Sequence, residues 1–139
     1  TLVIVIGNLR GGESTWESMH RHVLDVNSAD LALMIGQHPE NNQTSMFQRA
    51  KYVWEFQEFE DWGTPLDTIL NSTEWRTQIM RWTNYKVGTF GGVGSLKGSG
   101  AIIFMIRHWL RQRLVQLNLT ERYDRFIVTR SDFFFTNAT

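Results

Sequence analysis

The sequence predicts an α/β domain built on a mostly parallel sheet flanked by helices, and three observations carry that prediction. Leu2 to Ile6 is a continuous apolar, β-branched run of the kind buried on both faces of a parallel sheet. A glycine turn and a helical pattern lead from it to a second apolar run, Leu31 to Ile35, making a strand-helix-strand unit with a right-handed crossover. Late in the chain a long helical pattern, Gly100 to Leu117, returns to a third run, Phe126 to Thr129, which exits through Arg130 to Asp132.

Taken in order, the first strand gives way to the loop Gly7-Asn8-Leu9-Arg10-Gly11-Gly12. Ser14 followed by Glu17 reads as a capping box. Trp16, Met19, His20, Val23 and Leu24 recur at helical spacing, so a helix is expected from about Thr15 to Asp25. Polar residues from Gln37 to Thr44 form a loop, and Ser45 to Ala50 a short helix. Tyr52, Trp54 and Phe56 alternate with polar residues as in a half-exposed strand, and the alternation slips near Phe59. Thr64-Pro65 opens the next helix, with proline in the first turn where its missing donor is harmless. Helical segments continue through Trp75, Ile79 and Trp82, and Gly88 to Gly100 is a glycine-rich loop. In the helix that follows, Ile103, Ile106, Leu110, Leu114 and Leu117 are expected to form one apolar stripe, with Ser99 as its cap.

Composition removes several classes of function. With no cysteine, a disulfide framework, a thiolate zinc site and a cysteine nucleophile are all excluded. Zero net charge gives no electrostatic footprint for nucleic acid. No apolar run reaches the roughly 18 residues of a membrane span. Four Asn-x-Ser/Thr sequons begin at Asn42, Asn71, Asn118 and Asn137, and they matter only in a secreted chain. The chain starts inside an apolar run and stops seven residues after Asp132, so both ends read as cuts.

In open α/β sheets the ligand crevice lies outside the carboxyl ends of the strands. Asp132, delivered there by the last strand, is the first candidate for a metal or substrate contact; its plain alternative is a turn aspartate. Gly7 to Gly12 joins a strand to a helix, a geometry in which backbone amides can approach phosphates and Arg10 can pair with them. It matches neither G-x-G-x-x-G nor the P-loop pattern, and a tight structural turn is the alternative. The second glycine cluster, with Lys97 and Ser99 before a long helix, is an anion site or a simple linker. The histidines lack metal-ligand spacing, and Glu55, Glu58, Glu60 and Asp61 read as a solvated edge that could hold an acceptor-side base.

Four blocks in order, Ile4 to Gly12, Val23 to Gly36, Gly98 to Arg107 and Tyr123 to Asp132, resemble the N-terminal glycosyltransferase domain of the chlorella-virus capsid-glycosylating enzymes. The resemblance implies a glycosyltransferase-A-like, Rossmann-like fold, with residues 1–139 forming the nucleotide-sugar-binding part of one domain that lacks its acceptor half. It implies a nucleotide-diphosphate sugar donor, typically a UDP-sugar, Mn²⁺ or Mg²⁺, and a glycan or glycoprotein acceptor such as a viral capsid protein, in the cytoplasm of an infected host cell. Gly7, Asn8 and Arg10 inherit the nucleotide contacts, Ser99 is a further candidate contact, and Asp132 inherits the metal. Arg130 stands where the family's D-x-D pattern has its first aspartate, which leaves the number of metal ligands open. The competing readings are a non-catalytic nucleotide-binding or interaction module and a dinucleotide oxidoreductase, the latter opposed by the glycine spacing.

Overall fold

A computed structural model describes residues 1–83 and 91–136 of the chain; the expected loop start at Gly88 and the sequon at Asn137 lie outside them. The described residues form four strands, β1 (Leu2–Ile6), β2 (Asp30–Gly36), β3 (Tyr52–Phe56) and β4 (Phe126–Thr129), in one sheet of order β3-β2-β1-β4. Every pairing is parallel: Leu2 lies opposite both Asp30 and Phe126, and Ala32 opposite Tyr52. The expected α/β class with a parallel sheet is therefore present. The described residues also form six α-helices: α1 (Glu13–Met19), α2 (Ser45–Arg49), α3 (Gly63–Leu70), α4 (Glu74–Thr83), α5 (Gly100–Gln116) and α6 (Leu119–Arg122).

The chain separates into two compact units, Thr1–Glu58 with Gln112–Thr139, and Phe59–Arg111. In the first, Val3 and Val5 of β1 lie beside Leu31 and Leu33 of β2 and pack with Trp16, Met19, Leu24 and Met46 into the main core. Met19 and Leu24 have no exposed surface, and burying side chains of this size stabilises by about 1.5–3 kcal/mol each. Leu2, Ile4, Ala32 and Met34, on the opposite face of the sheet, are equally buried. Burial on both faces is why β1 and β2 read as unbroken apolar runs rather than alternating ones.

The first helix departs from expectation at its start, while the helical segment ends at Asp25 as expected. It starts at Glu13, with Gly12 at the N-cap and its carbonyl accepting from the amides of Thr15 and Trp16, so Ser14 lies within the first turn and the capping box does not form. After Met19 the helix widens into a π-helical segment, His20–Asp25, before β2. Asn27 closes its end by donating from Nδ2 to the Val23 carbonyl at 2.8 Å.

In the second unit Arg76 of α4 ties its neighbours together. Its guanidinium donates to Asp67 through Nε and Nη2 and to Asp61 through Nη1 at 2.8 Å, and Trp75 Nε1 also donates to Asp67. Asp61 Oδ1 accepts from the amides of Gly63 and Gly94, which fastens the described part of the glycine-rich loop, residues 91–99. Ser99 precedes α5 as expected, its carbonyl accepting from Ile103 N at 2.9 Å. The apolar stripe expected on α5 is wrong in part. Ala101, Met105, Ile106 and Leu110 are buried, whereas Ile103 and Leu117 are more than two-fifths exposed. Apolar and polar residues are mixed around the helix rather than segregated on opposite sides, so spacing alone did not select the buried face.

Candidate functional site at the carboxyl edge of the sheet

The strand order places β2 and β3 on one side of β1 and β4 on the other. The loops that leave β1 and β4 therefore diverge from a topological switch point, the place where open α/β sheets bind ligands. Here the two loops are stitched together. The Ser131 side chain, 1% exposed, accepts from Arg10 N at 2.8 Å and donates from Oγ to the Asn8 carbonyl at 3.2 Å. Trp16 Nε1, from the core helix, donates to the Arg10 carbonyl at 2.8 Å. Both backbone groups of Arg10 are thus satisfied by protein, while its side chain is at the surface. The loop offers a ligand the Arg10 side chain rather than the Arg10 amide.

Gly11 shows how tightly the loops meet. Its φ is +95°, and a Cβ on it would stand 3.1 Å from the Asp132 Cα and 3.0 Å from Thr15 Cγ2. Asp132 is held by this contact and by its neighbour Ser131. Its carboxylate faces Arg130, which donates from Nε to Oδ1 at 2.9 Å and from Nη2 to Oδ2 at 2.5 Å. The guanidinium holds the Asp132 carboxyl below the usual carboxylate range, and Arg10 adds to the effect from the facing loop. Arg130 also lies over the Phe133 ring, 5.8 Å from its centroid.

Asn8 joins this stitch to a cavity of about 360 Å³ that opens at the carboxyl ends of β1, β2 and β3. Leu9 and Trp16 supply an apolar wall; Gln37, His38 and Glu58 supply polar groups. Gly36, the last residue of β2, lets two of the polar groups close in. A Cβ there would stand 2.6 Å from Glu58 Oε1 and nearer still to Asn8 Oδ1. Below them Asn41, buried, donates from Nδ2 to the Gly36 carbonyl at 2.9 Å and to Glu55 Oε1 at 2.8 Å, which fixes the loop after β2. An apolar wall with a few convergent polar groups is the usual make-up of a small-molecule site.

Of the residues expected from sequence, Gly7, Asn8, Arg10 and Asp132 come together at this edge, and Ser99 belongs to the other compact unit. Sequence reasoning missed Ser131 as the stitch, and His38, Asn41 and Glu58 as lining or support. The rule that selected Asp132, position just past a strand, would also have selected residues 37–41 after β2 and Glu58 after β3. Glu58 was read as part of a solvated acidic edge and His38 as an isolated histidine, since nothing in their local sequence ties either to a cavity.

Among the described residues no group of three or more His, Cys, Asp or Glu side chains is placed to hold a metal ion. Asp132 alone supplies one carboxylate. Mg²⁺-like cations are commonly held by one or two carboxylates together with substrate phosphates and water, so this donor set fits a cation that arrives with a diphosphate and would hold one by protein alone only weakly. Also among the described residues, no helix is long and apolar enough to cross a membrane. No protein-family model, curated protein or solved structure matches the chain.

Proposed function

We propose that the chain binds a nucleoside-diphosphate sugar, with uridine the favoured nucleoside, and is the donor-binding part of a metal-dependent glycosyltransferase. The observation that carries this reading is the Ser131 stitch: it joins the loops after β1 and β4 at the switch point, beside a polar-rimmed cavity that shares Asn8 with it. The nucleoside sits in the cavity, where Asn8 and Glu58 offer hydrogen bonds to base or ribose and Trp16 and Leu9 offer apolar surface. The diphosphate extends toward Arg10, Arg130 and Asp132. Uridine as donor nucleoside, and a glycan or glycoprotein acceptor such as a viral capsid protein, are supported by the sequence resemblance alone.

The reaction breaks the bond between the anomeric carbon and the diphosphate oxygen and forms one from that carbon to an acceptor oxygen, whose proton leaves. A cation bound through Asp132 and the phosphates would offset charge on the departing diphosphate. Arg10 and Arg130 bear on the same charge directly, and preorganised positive groups at such a position are a main source of transition-state stabilisation. One observation favours a second reading. Both Asp132 carboxylate oxygens already engage Arg130, so a non-catalytic nucleotide-binding module needs no change in the site.

Calorimetric titration with UDP, UMP and NAD, each with and without Mn²⁺, tests the proposal. UDP binding tighter than UMP and strengthened by Mn²⁺ is expected. UDP binding that ignores Mn²⁺ selects the non-catalytic reading, and equal affinity for NAD and UDP removes the nucleotide-sugar assignment.

A further inference from the structure

We propose that Arg130 is an exchangeable latch on Asp132, holding the carboxylate until a diphosphate draws the guanidinium away, so that a divalent cation gains its protein ligand only together with that diphosphate. The inference rests on the nucleotide-sugar reading and adds an order of binding to it. Its basis is the paired geometry at the end of β4. Two parallel donor-acceptor contacts occupy both oxygens of Asp132, so a cation approaching by itself meets a guanidinium where its ligand should be.

The pair is built to exchange. The Arg130 side chain is 57% exposed and that of Asp132 27%, and an ion pair this open to water contributes little stability. A phosphate presents the guanidinium fork with the same bidentate geometry as a carboxylate, so the arginine loses little by changing partners. The carboxylate, by contrast, stays in place. Its backbone is wedged against Gly11 and anchored through Ser131, and Arg130 keeps a platform on the Phe133 ring. The exchange conserves charge pairing throughout: guanidinium to phosphate, carboxylate to cation, cation to phosphate.

The test counts protein-bound Mn²⁺ by equilibrium dialysis, in which soluble Mn²⁺–pyrophosphate and Mn²⁺–UDP complexes distribute equally across the membrane, for the unaltered chain and for Arg130→Gln, each alone and with saturating inorganic pyrophosphate or UDP. For the unaltered chain, pyrophosphate should tighten Mn²⁺ binding by about tenfold or more, within the usual range for coupled sites, and Mn²⁺ should tighten pyrophosphate by the same factor. Arg130→Gln should bind Mn²⁺ alone about tenfold more tightly than the unaltered chain, and its coupling should shrink. Asp132→Asn should abolish Mn²⁺ binding in both backgrounds. Arg130 is at the surface, so circular dichroism should find the variant folded. Unchanged Mn²⁺ affinity in Arg130→Gln, or coupling of the same size, overturns the latch, as does Mn²⁺ binding to neither chain. Intact coupling with pyrophosphate but no preference for UDP over pyrophosphate upholds the latch and sinks the nucleotide reading instead.

Discussion

The two ends of the sheet are built on opposite principles. At the amino edge, the polar groups of the strand starts satisfy one another. Asp30 Oδ2 accepts from Lys51 Nζ at 2.6 Å and from the Tyr123 hydroxyl at 2.5 Å, and the Tyr52 and Tyr123 hydroxyls lie 3.3 Å apart. Lys51 also sits over both tyrosine rings. At the carboxyl edge the backbone is just as firmly tied, through Ser131, Trp16 and Asn41, but Asn8 and Glu58 project at the surface around a cavity and the Arg10 side chain is exposed on the same loop as Asn8. The first arrangement closes a sheet end, while the second holds polar groups in place without consuming them. A ligand site on this fold needs a rigid frame and unspent hydrogen-bonding capacity together, and the carboxyl edge has both.

Breaking the frame of the carboxyl edge should have the largest effect on stability. Gly11→Ala places a Cβ against the Asp132 backbone at a φ of +95°, where an L side chain is strained and the opposing atom is main chain. A loss of about 1–3 kcal/mol is expected, read as a lower midpoint of urea unfolding at unchanged slope. A variant as stable as the parent would mean that the two loops can part freely, and the rigid-frame half of the comparison would fail.

The amino edge should respond next, and with a pH signature. Burial first and the Asp30 carboxylate second push the Tyr123 phenol up to about 12, and the Asp30 carboxylate pushes Lys51 up to about 12. Both values lie above those of an unfolded chain, near 10 for tyrosine and 10.4 for lysine. The stability these groups contribute is therefore fully present below about pH 10 and is lost as pH rises toward 12. Asp30 behaves in the opposite sense: Lys51 first, then Tyr123, lower its pKa, so its contribution is lost as pH falls below the ordinary aspartate value of about 3.9. Tyr123→Phe should cost about 0.5–1.5 kcal/mol at neutral pH and flatten the alkaline limb. An alkaline limb as steep in the variant as in the parent would show that the network is not what titrates.

How much of this was legible depended on whether a feature leaves a local trace. β1 and β2 announced themselves because burial on both faces demands consecutive apolar residues; β4, an edge strand with Val128 half exposed, is apolar all the same, and Asp132 stood out because it lies directly past that run. The start of α1 was misread because a Ser-x-x-Glu pattern was present while the N-cap fell on Gly12, whose φ of +80° no sequence pattern records. The buried face of α5 was misread because its polar residues, Arg107, His108, Arg111 and Gln112 among them, are spread around the helix and do not mark one outer side. The cavity left no trace at all. Asn8, Gly36 and Glu58 are far apart in the chain, and only the parallel register of β1, β2 and β3 brings their strand ends side by side.

Gly36 allows the sharpest separation of frame from function, with the smallest expected effect on stability. Unlike Gly11, it lies in an extended strand paired with Phe56, and the atoms its Cβ would meet are the tips of Asn8 and Glu58, both at the surface. Those tips can swing aside, so Gly36→Ala should change stability by no more than about 0.5 kcal/mol, as at other permissive positions. It should nonetheless drive apart the two groups that rim the cavity. If they contact the nucleoside, UDP affinity should fall about tenfold, or about 1.4 kcal/mol, with pyrophosphate affinity unchanged, since the phosphates lie toward Arg10 and Arg130. Calorimetry on the folded variant with both ligands decides the matter: an undiminished preference for UDP would place the nucleoside outside this cavity, and a large loss of stability would make Asn8 and Glu58 part of the frame.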